Sequence, residues 1–434
     1  MVCRYFRAGL SAMGRCKIWH PVIVAALGLG LSGCASFPPL GEIDLIAKAT
    51  RIHQRVIVLD SHVDIPPNYA TPDADPGIKG DMQVDLPKMV EGGLDAVFFI
   101  VFVAQTERTP ENYQLAQAQA MNKFNAIHRM TDELYPDRIE LARTARDVRR
   151  IHKSGKRVAL IGVENGYVIG KNLELVKHYY DLGARYMSLT HNGHNDLADS
   201  SAIRDELGDA EIEHGGVSEL GERVIEEMNR LGMMVDVAHG SKATVLEAAA
   251  LSKAPIISSH HAVKHFVDIP RNLDDEEMIA IKATGGVVQI IAFDSYLKPV
   301  HPDKTKAFSA LMAQYGVDGP AAYNALSEVD RQSIKNQRAR FDEQWPPASV
   351  QDFVDHIDYA VDLIGVDHVG IVSDFGGGGG IAGWRDASET LNVTIELVRR
   401  GYSKQDIGKI WSGNLLRVMK DVERIARKLQ AEKS

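Results

Sequence analysis

Short apolar, β-branched runs alternate with amphipathic helical stretches along most of the chain, and the runs tend to stop at a polar residue. The first run, 56–59, ends at Asp60 and is followed by His62, Asp64 and a Pro-Pro pair. Seven more strands are predicted at 96–103, 158–163, 186–189, 233–237, 255–258, 286–292 and 368–372. Helices are predicted between or around them at 43–54, 110–134, 173–182, 218–231, 244–251, 388–400 and 403–428. Strands that read as continuous apolar runs are those buried on both faces of a parallel sheet. Eight strand-helix units of this kind predict an α/β fold, a (β/α)8 TIM-like barrel whose functional residues lie at the C-terminal strand ends. Six of the eight runs stop at His, Asp or Glu, which a converging barrel mouth explains and an open sheet does not. Residues 298–347 interrupt the alternation between strands 7 and 8 as a charged helical insertion, expected to lie over the mouth or at an oligomer contact. The five glycines 376–380 after the last strand predict a flexible or closely approached loop.

The amino terminus departs from this pattern. Arg4, Arg7, Arg15 and Lys17 precede an apolar run, 22–31, that is too short to span a bilayer, and Leu31-Ser32-Gly33-Cys34 follows. Residues 1–33 therefore read as a signal peptide, and Leu-Ser-Gly-Cys resembles the bacterial lipoprotein signal, in which the cysteine is acylated. This implies a lipidated tether at 34–41, a domain at 42–434, and a place in the bacterial cell envelope, at the outer membrane facing the periplasm. The formal charge of -9 argues against a nucleic-acid partner. The three cysteines are Cys3, Cys16 and Cys34, so a metal in the domain must be held by His, Asp and Glu.

The strand tips supply such a set. His62 and Asp64 follow strand 1 and point to one side of it, Glu164 follows strand 3, His191 strand 4, His239 strand 5, His260 strand 6 and Asp374 strand 8. Four imidazoles and three carboxylates converging on one mouth can hold two divalent ions, with Glu164 as the natural bridge. Ions about 3.5 to 4 Å apart would polarise a carbonyl and acidify a shared water.

These motifs resemble the renal or membrane dipeptidase family, zinc peptidases of (β/α)8 fold. The resemblance is carried by Asp60-Ser61-His62-Val63-Asp64, Gly162-Val163-Glu164-Asn165-Gly166, Leu189-Thr190-His191-Asn192, Val235-Asp236-Val237-Ala238-His239, Ser258-Ser259-His260, Arg271-Asn272, Gly370-Ile371-Val372-Ser373-Asp374-Phe375 and Gly413-Asn414-Leu415-Leu416-Arg417. It implies two zinc ions per chain, with His62 and Asp64 on one, His239 and His260 on the other, and Glu164 between them. It also implies that His191 stabilises the oxyanion, that Asp374 transfers the proton, and that Arg271, with Asn272 beside it, binds the C-terminal carboxylate of a dipeptide. L-Xaa-L-Xaa and L-Xaa-D-Xaa substrates and a homodimer are further expectations from the family.

The chain departs from the family pattern at two places. His261 directly follows His260, so strand register decides which of them faces the ions; the reading takes His260. Gly376 stands after Asp374-Phe375 where relatives usually have another Asp. His194, in the loop after His191, either lines the pocket or is solvated. The alternative enzyme class, an amidohydrolase acting on another amide, lactam or lactone, usually begins with His-x-His, whereas strand 1 carries His-x-Asp. A lipoprotein binding metal or peptide without turnover would not need both a carboxylate clamp and a proton-transfer group.

Overall fold

The computed structural model describes residues 40–432; the expected signal peptide, Cys34 and nearly all of the tether lie outside the described residues. Nine parallel strands form one sheet: β1 Leu59–Asp64, β2 Ala96–Phe102, β3 Ile139–Leu141, β4 Arg157–Glu164, β5 Ala184–Ser188, β6 Met234–Asp236, β7 Ile257–His261, β8 Val287–Ile291 and β9 Val369–Val372. The order is β1-β2-β4-β5-β6-β7-β8-β9, with β3 paired beside β4. A parallel bridge from Val63 to Phe375, with the Asp64 N–H donating to the Phe375 carbonyl at 2.8 Å, joins the last strand tip to the first. Eight strands thus surround a nearly closed barrel, as expected from the sequence.

Helices Leu86–Gly92, Ala145–Lys153, Asp275–Ala283 and Val350–Ile364 are not among those expected, and two strands differ from expectation. Three residues with a central glutamate, Ile-Glu-Leu, are too short and mixed to read as a strand, yet β3 forms because the N-terminal half of β4 has an edge free before β5 begins to pair at Ile161. The first strand also runs later than its apolar run, through Asp64, because Val63 and Asp64 pair with Phe99 and Ile100 on β2. Register breaks fall between Asp60 and Val63, between Ile161 and Gly162, and between Ser258 and His261, on three of the strands whose ends carry chemistry. Such irregularities re-aim side chains next to functional sites.

Two buried aspartates fasten the mouth where strand pairing is sparse. Asp60 Oδ1 accepts from the N–H groups of His62 (3.2 Å) and Ser373 (3.1 Å), linking β1 to the end of β9. Asp236 Oδ1 accepts from Ala238 (3.0 Å) and Ser259 (2.8 Å), linking β6 to β7, which otherwise share one paired position. Burial pushes both carboxyls up to about 6, against the pull of these donors.

The insertion consists of helices Pro302–Gln314, Pro320–Ala325 and Glu328–Gln344. Among the described residues no helix is long and apolar enough to cross a membrane.

Candidate metal centre and substrate cleft

The tips of β1, β4, β6 and β7 bring five of the expected ligands into one buried cluster. His62 Nε2 lies 3.4 Å from Asp64 Oδ2 and 3.4 Å from Glu164 Oε2. On the other side of the same carboxylate, Glu164 Oε1 lies 3.1 Å from His239 Nε2 and 3.3 Å from His260 Nε2. Asp374 Oδ1 is 3.8 Å from His62 Nε2. The donor atoms fall into overlapping groups, His62–Asp64–Glu164, Glu164–His239–His260 and His62–His260–Asp374, each compact enough to hold one ion.

The far nitrogens of the rings decide which lone pairs face the centre. The Tyr186 hydroxyl donates to the Ser61 carbonyl at 2.9 Å, so its oxygen is left to accept from His62 Nδ1 at 3.0 Å. That holds a proton on His62 Nδ1 and turns Nε2 inward as the nitrogen available to an ion; Nε2 has no hydrogen-bond partner among the described residues. In the same way Asn192 Oδ1 accepts from His239 Nδ1 at 2.9 Å, and Ser259 Oγ lies 2.7 Å from His260 Nδ1. The two inner nitrogens of His239 and His260 then stand 2.9 Å apart. Lone pairs facing each other at that separation repel unless a cation or a proton lies with them, so the donor set fits a metal ion.

The charges around the rings set His62 apart from His239 and His260. Burial works against the charged form of the His62 ring, but Glu164 and Asp64 outweigh it and hold its pKa well above the ordinary value. Burial, reinforced by the Arg271 charge, takes His239 and His260 well below theirs, as ligands require. Burial would raise Glu164, yet the three imidazoles hold it well below the usual carboxylate range. Asp374 is pushed well above that range by burial, despite the nearby His62.

Several site residues sit in backbone conformations that side chains rarely adopt. Asn165 (φ 79°), His239 (φ 64°) and Asp374 (φ 58°) are left-handed, each at or just beyond a strand tip. The glycine run after Asp374 is a closely approached loop. A Cβ on Gly376 would lie 2.4 Å from the Asp64 carbonyl, and one on Gly377 would lie 2.5 Å from Asp64 Oδ2 and 2.6 Å from Asp374 Oδ1. Gln83 holds the loop, accepting from the Gly376 N–H at 2.8 Å and donating to the Gly379 carbonyl at 2.9 Å.

The cluster forms the floor of a cleft of about 1330 Å³ whose walls include His191, Asn192, Arg271, Phe293, Tyr296 and Gly377. His191 packs between Phe102 (4.6 Å between ring centroids) and His239 (4.2 Å), tilted against both, and burial lowers its pKa. Arg271 is 6% exposed, and none of its three guanidinium nitrogens has a hydrogen-bond partner among the described residues; Tyr296 lies under it at 5.6 Å. Asn272 stands behind the cleft wall, with its amide donating to the carbonyls of Val267 and Tyr296, both at 2.9 Å. Of the adjacent histidines, His260 joins the cluster and His261 turns to Ser258 behind it. His194 is buried outside the cleft, where it accepts from the Ser200 N–H and meets the Ala210 carbonyl, both at 2.9 Å. Tyr186 and Asn192 carry roles that the sequence alone did not assign.

The family model for membrane dipeptidase, peptidase family M19, matches residues 46–433. The chain belongs to the membrane dipeptidase family. It is a peptide hydrolase of the metallo-dipeptidase type. It is 32% identical over 354 residues to dipeptidase aclJ of Aspergillus oryzae, covering 80% of this chain and 72% of that protein. To dipeptidase verJ of Clonostachys rogersoniana it is 30% identical over 400 residues, covering 89% of each. The crystal structure of the probable dipeptidase PvdM from Pseudomonas aeruginosa superposes with a TM-score of 0.78 at 33% identity, covering 88% of this chain and 99% of that one. Family membership carries a metal cofactor with it, and the cluster is where this dipeptidase has the ligands for one.

The His62 tautomer yields a test away from the cleft. Tyr186→Phe removes the oxygen that receives the Nδ1 proton but keeps the ring, and should weaken metal binding by about tenfold or more, measured by competition with a chromophoric chelator. Unchanged affinity would mean that Tyr186 does not orient the ligand.

Proposed function

We propose that this protein is a binuclear zinc dipeptidase that requires a free C-terminal carboxylate on its substrate. The observation carrying this reading is the buried guanidinium of Arg271, unpartnered in the same cleft as two donor sets that share Glu164. A buried cation without a partner costs several kcal/mol, and a carboxylate held by its planar fork offsets that cost. His62 and Asp64 would hold one ion and His239 and His260 the other, with Glu164 between. Imidazole and carboxylate donors suit zinc, and the ions when bound supply carbonyl polarisation and a water acidic enough to attack near neutral pH.

The remaining steps belong to the chain. Arg271 fixes the dipeptide by its carboxylate and sets how far the scissile carbonyl lies from that end. His191 is held neutral by burial and still carries one N–H, which can donate to the carbonyl oxygen as it gains charge. Asp374, in its carboxylate form, takes the proton of the attacking water and delivers it to the leaving amine. Tyr296 and Phe293, stacked at 4.3 Å, keep water from one side of the clamp. The clamp reads a carboxylate and not the chirality of the carbon beside it, so L-Xaa-D-Xaa dipeptides are substrates in this reading together with L-Xaa-L-Xaa.

Export and lipidation of Cys34 at the bacterial envelope belong to the same proposal, supported by the basic, apolar and Leu-Ser-Gly-Cys segments in order. So does a homodimer, which rests on family resemblance.

Three measurements test it. Purified protein should contain about two zinc per chain and cleave L-Ala-L-Ala and L-Ala-D-Ala; chelation should abolish cleavage and zinc restore it, whereas chelator-resistant turnover would refute a metal role. Arg271→Met should raise KM for dipeptides at least tenfold and remove the discrimination against C-terminally amidated ones; retained discrimination would assign the clamp elsewhere. Cys34→Ser should move the expressed protein from the detergent phase to the aqueous phase on Triton X-114 partitioning, and unchanged partitioning would remove Cys34 as the anchor.

A further inference from the structure

A second buried cation faces the cleft, and no step above uses it. Lys123 lies on the helix Pro110–His128 that follows β2, is 8% exposed, and lines the cleft. Its ammonium makes no hydrogen bond or ion pair among the described residues and lies over the Phe102 ring, 5.5 Å from the ring centroid. Burial lowers its pKa, and the field of Asp64 and Glu164 opposes that.

The helix explains how a lysine comes to be there. Ala116, Ala120, Phe124 and Ile127 are buried and recur at helical spacing, so they form the face turned to the barrel. Leu115, Ala118, Gln119, Asn122 and Lys123 all line the cleft and form the adjoining face, with Lys123 at the border between the two. The helix is therefore a wall of the substrate cleft as well as part of the outer shell. Asn122 ties that wall to the strand 1 loop by donating to the Pro67 carbonyl at 2.7 Å.

Position in the barrel sets the polarity of the cleft. In the order β1-β2-β4-β5-β6-β7-β8-β9, β2 and β7 are four steps apart in either direction, so the elements that follow them stand across the mouth from each other. Arg271 follows β7, Lys123 follows β2, and the metal ligands lie between. Resting on the dipeptidase reading, a substrate held at Arg271 by its C-terminal carboxylate and presenting its peptide bond at the ligands extends its N-terminal residue toward Lys123. We propose that Lys123 is a specificity residue that selects dipeptides whose N-terminal residue has an anionic side chain, L-Glu-Xaa and L-Asp-Xaa. The anion relieves the unpartnered ammonium, while an aliphatic side chain leaves it buried and unpaired. The aliphatic stem of Lys123 and the Phe102 ring hold the methylene part of such a side chain.

The test compares L-Glu-L-Ala with its neutral isostere L-Gln-L-Ala, using metal-loaded enzyme. Wild type should favour the Glu substrate at least tenfold in kcat/KM, chiefly through KM. The Glu/Gln ratio, which is internal to each preparation and independent of its folded fraction, should fall to about one in Lys123→Met and recover in Lys123→Arg. A wild-type ratio near one overturns the assignment without any variant, as does a ratio that survives in Lys123→Met. If L-Ala-L-Ala is cleaved while Glu and Gln are not distinguished, Lys123 alone is misassigned; if no dipeptide is cleaved at all, the dipeptidase reading fails and takes this proposal with it.

Discussion

The shared carboxylate of Glu164 is the constraint on which the centre depends. One oxygen faces His62 and the other faces His239 and His260, so strands from opposite parts of the barrel have to deliver their tips to within hydrogen-bonding range of a single side chain. A carboxylate at 4% exposure is stable as an anion only because those imidazoles surround it. The rings in turn present their inner nitrogens to the centre because Tyr186 and Asn192 occupy the outer nitrogens of His62 and His239. Metal affinity is therefore set as much by the layer behind the ligands as by the ligands.

The barrel supports that layer at a cost in backbone strain. His239 and Asp374 are left-handed residues without a glycine's freedom, each worth on the order of 1–3 kcal/mol. Asp60 and Asp236 fasten the strand ends beside them with pairs of backbone hydrogen bonds. The same two aspartates sit in the Asp-x-His and Asp-x-x-His segments that carry ligands, so each motif encodes a ligand together with the brace that aims it.

Much of this was legible in the sequence for a physical reason. Parallel barrel strands are apolar on both faces, so a His, Asp or Glu at the end of a run stands out, and all five expected ligands meet in the structure. What stayed hidden lacked that contrast. Tyr186 lies within an apolar run and reads as a core aromatic. Lys123 lies on an amphipathic helix whose sequence does not tell a cleft-facing charge from a solvated one. Asn272 was expected at the substrate beside Arg271, but its amide is engaged by two backbone carbonyls, a distinction that adjacency in sequence does not carry. The short β3 follows from the open edge of β4, which exists only once the sheet has formed.

The helix after β2 has a consequence for how such an enzyme can diverge. Its barrel-facing residues and its cleft-facing residues are different sets, so the second can be exchanged without disturbing strand closure or the ligands at the strand tips. Chemistry and selectivity are thereby placed under separate mutational control. A lineage could acquire new substrates by drifting along one stripe of a single helix, while the centre that cleaves them stays unchanged.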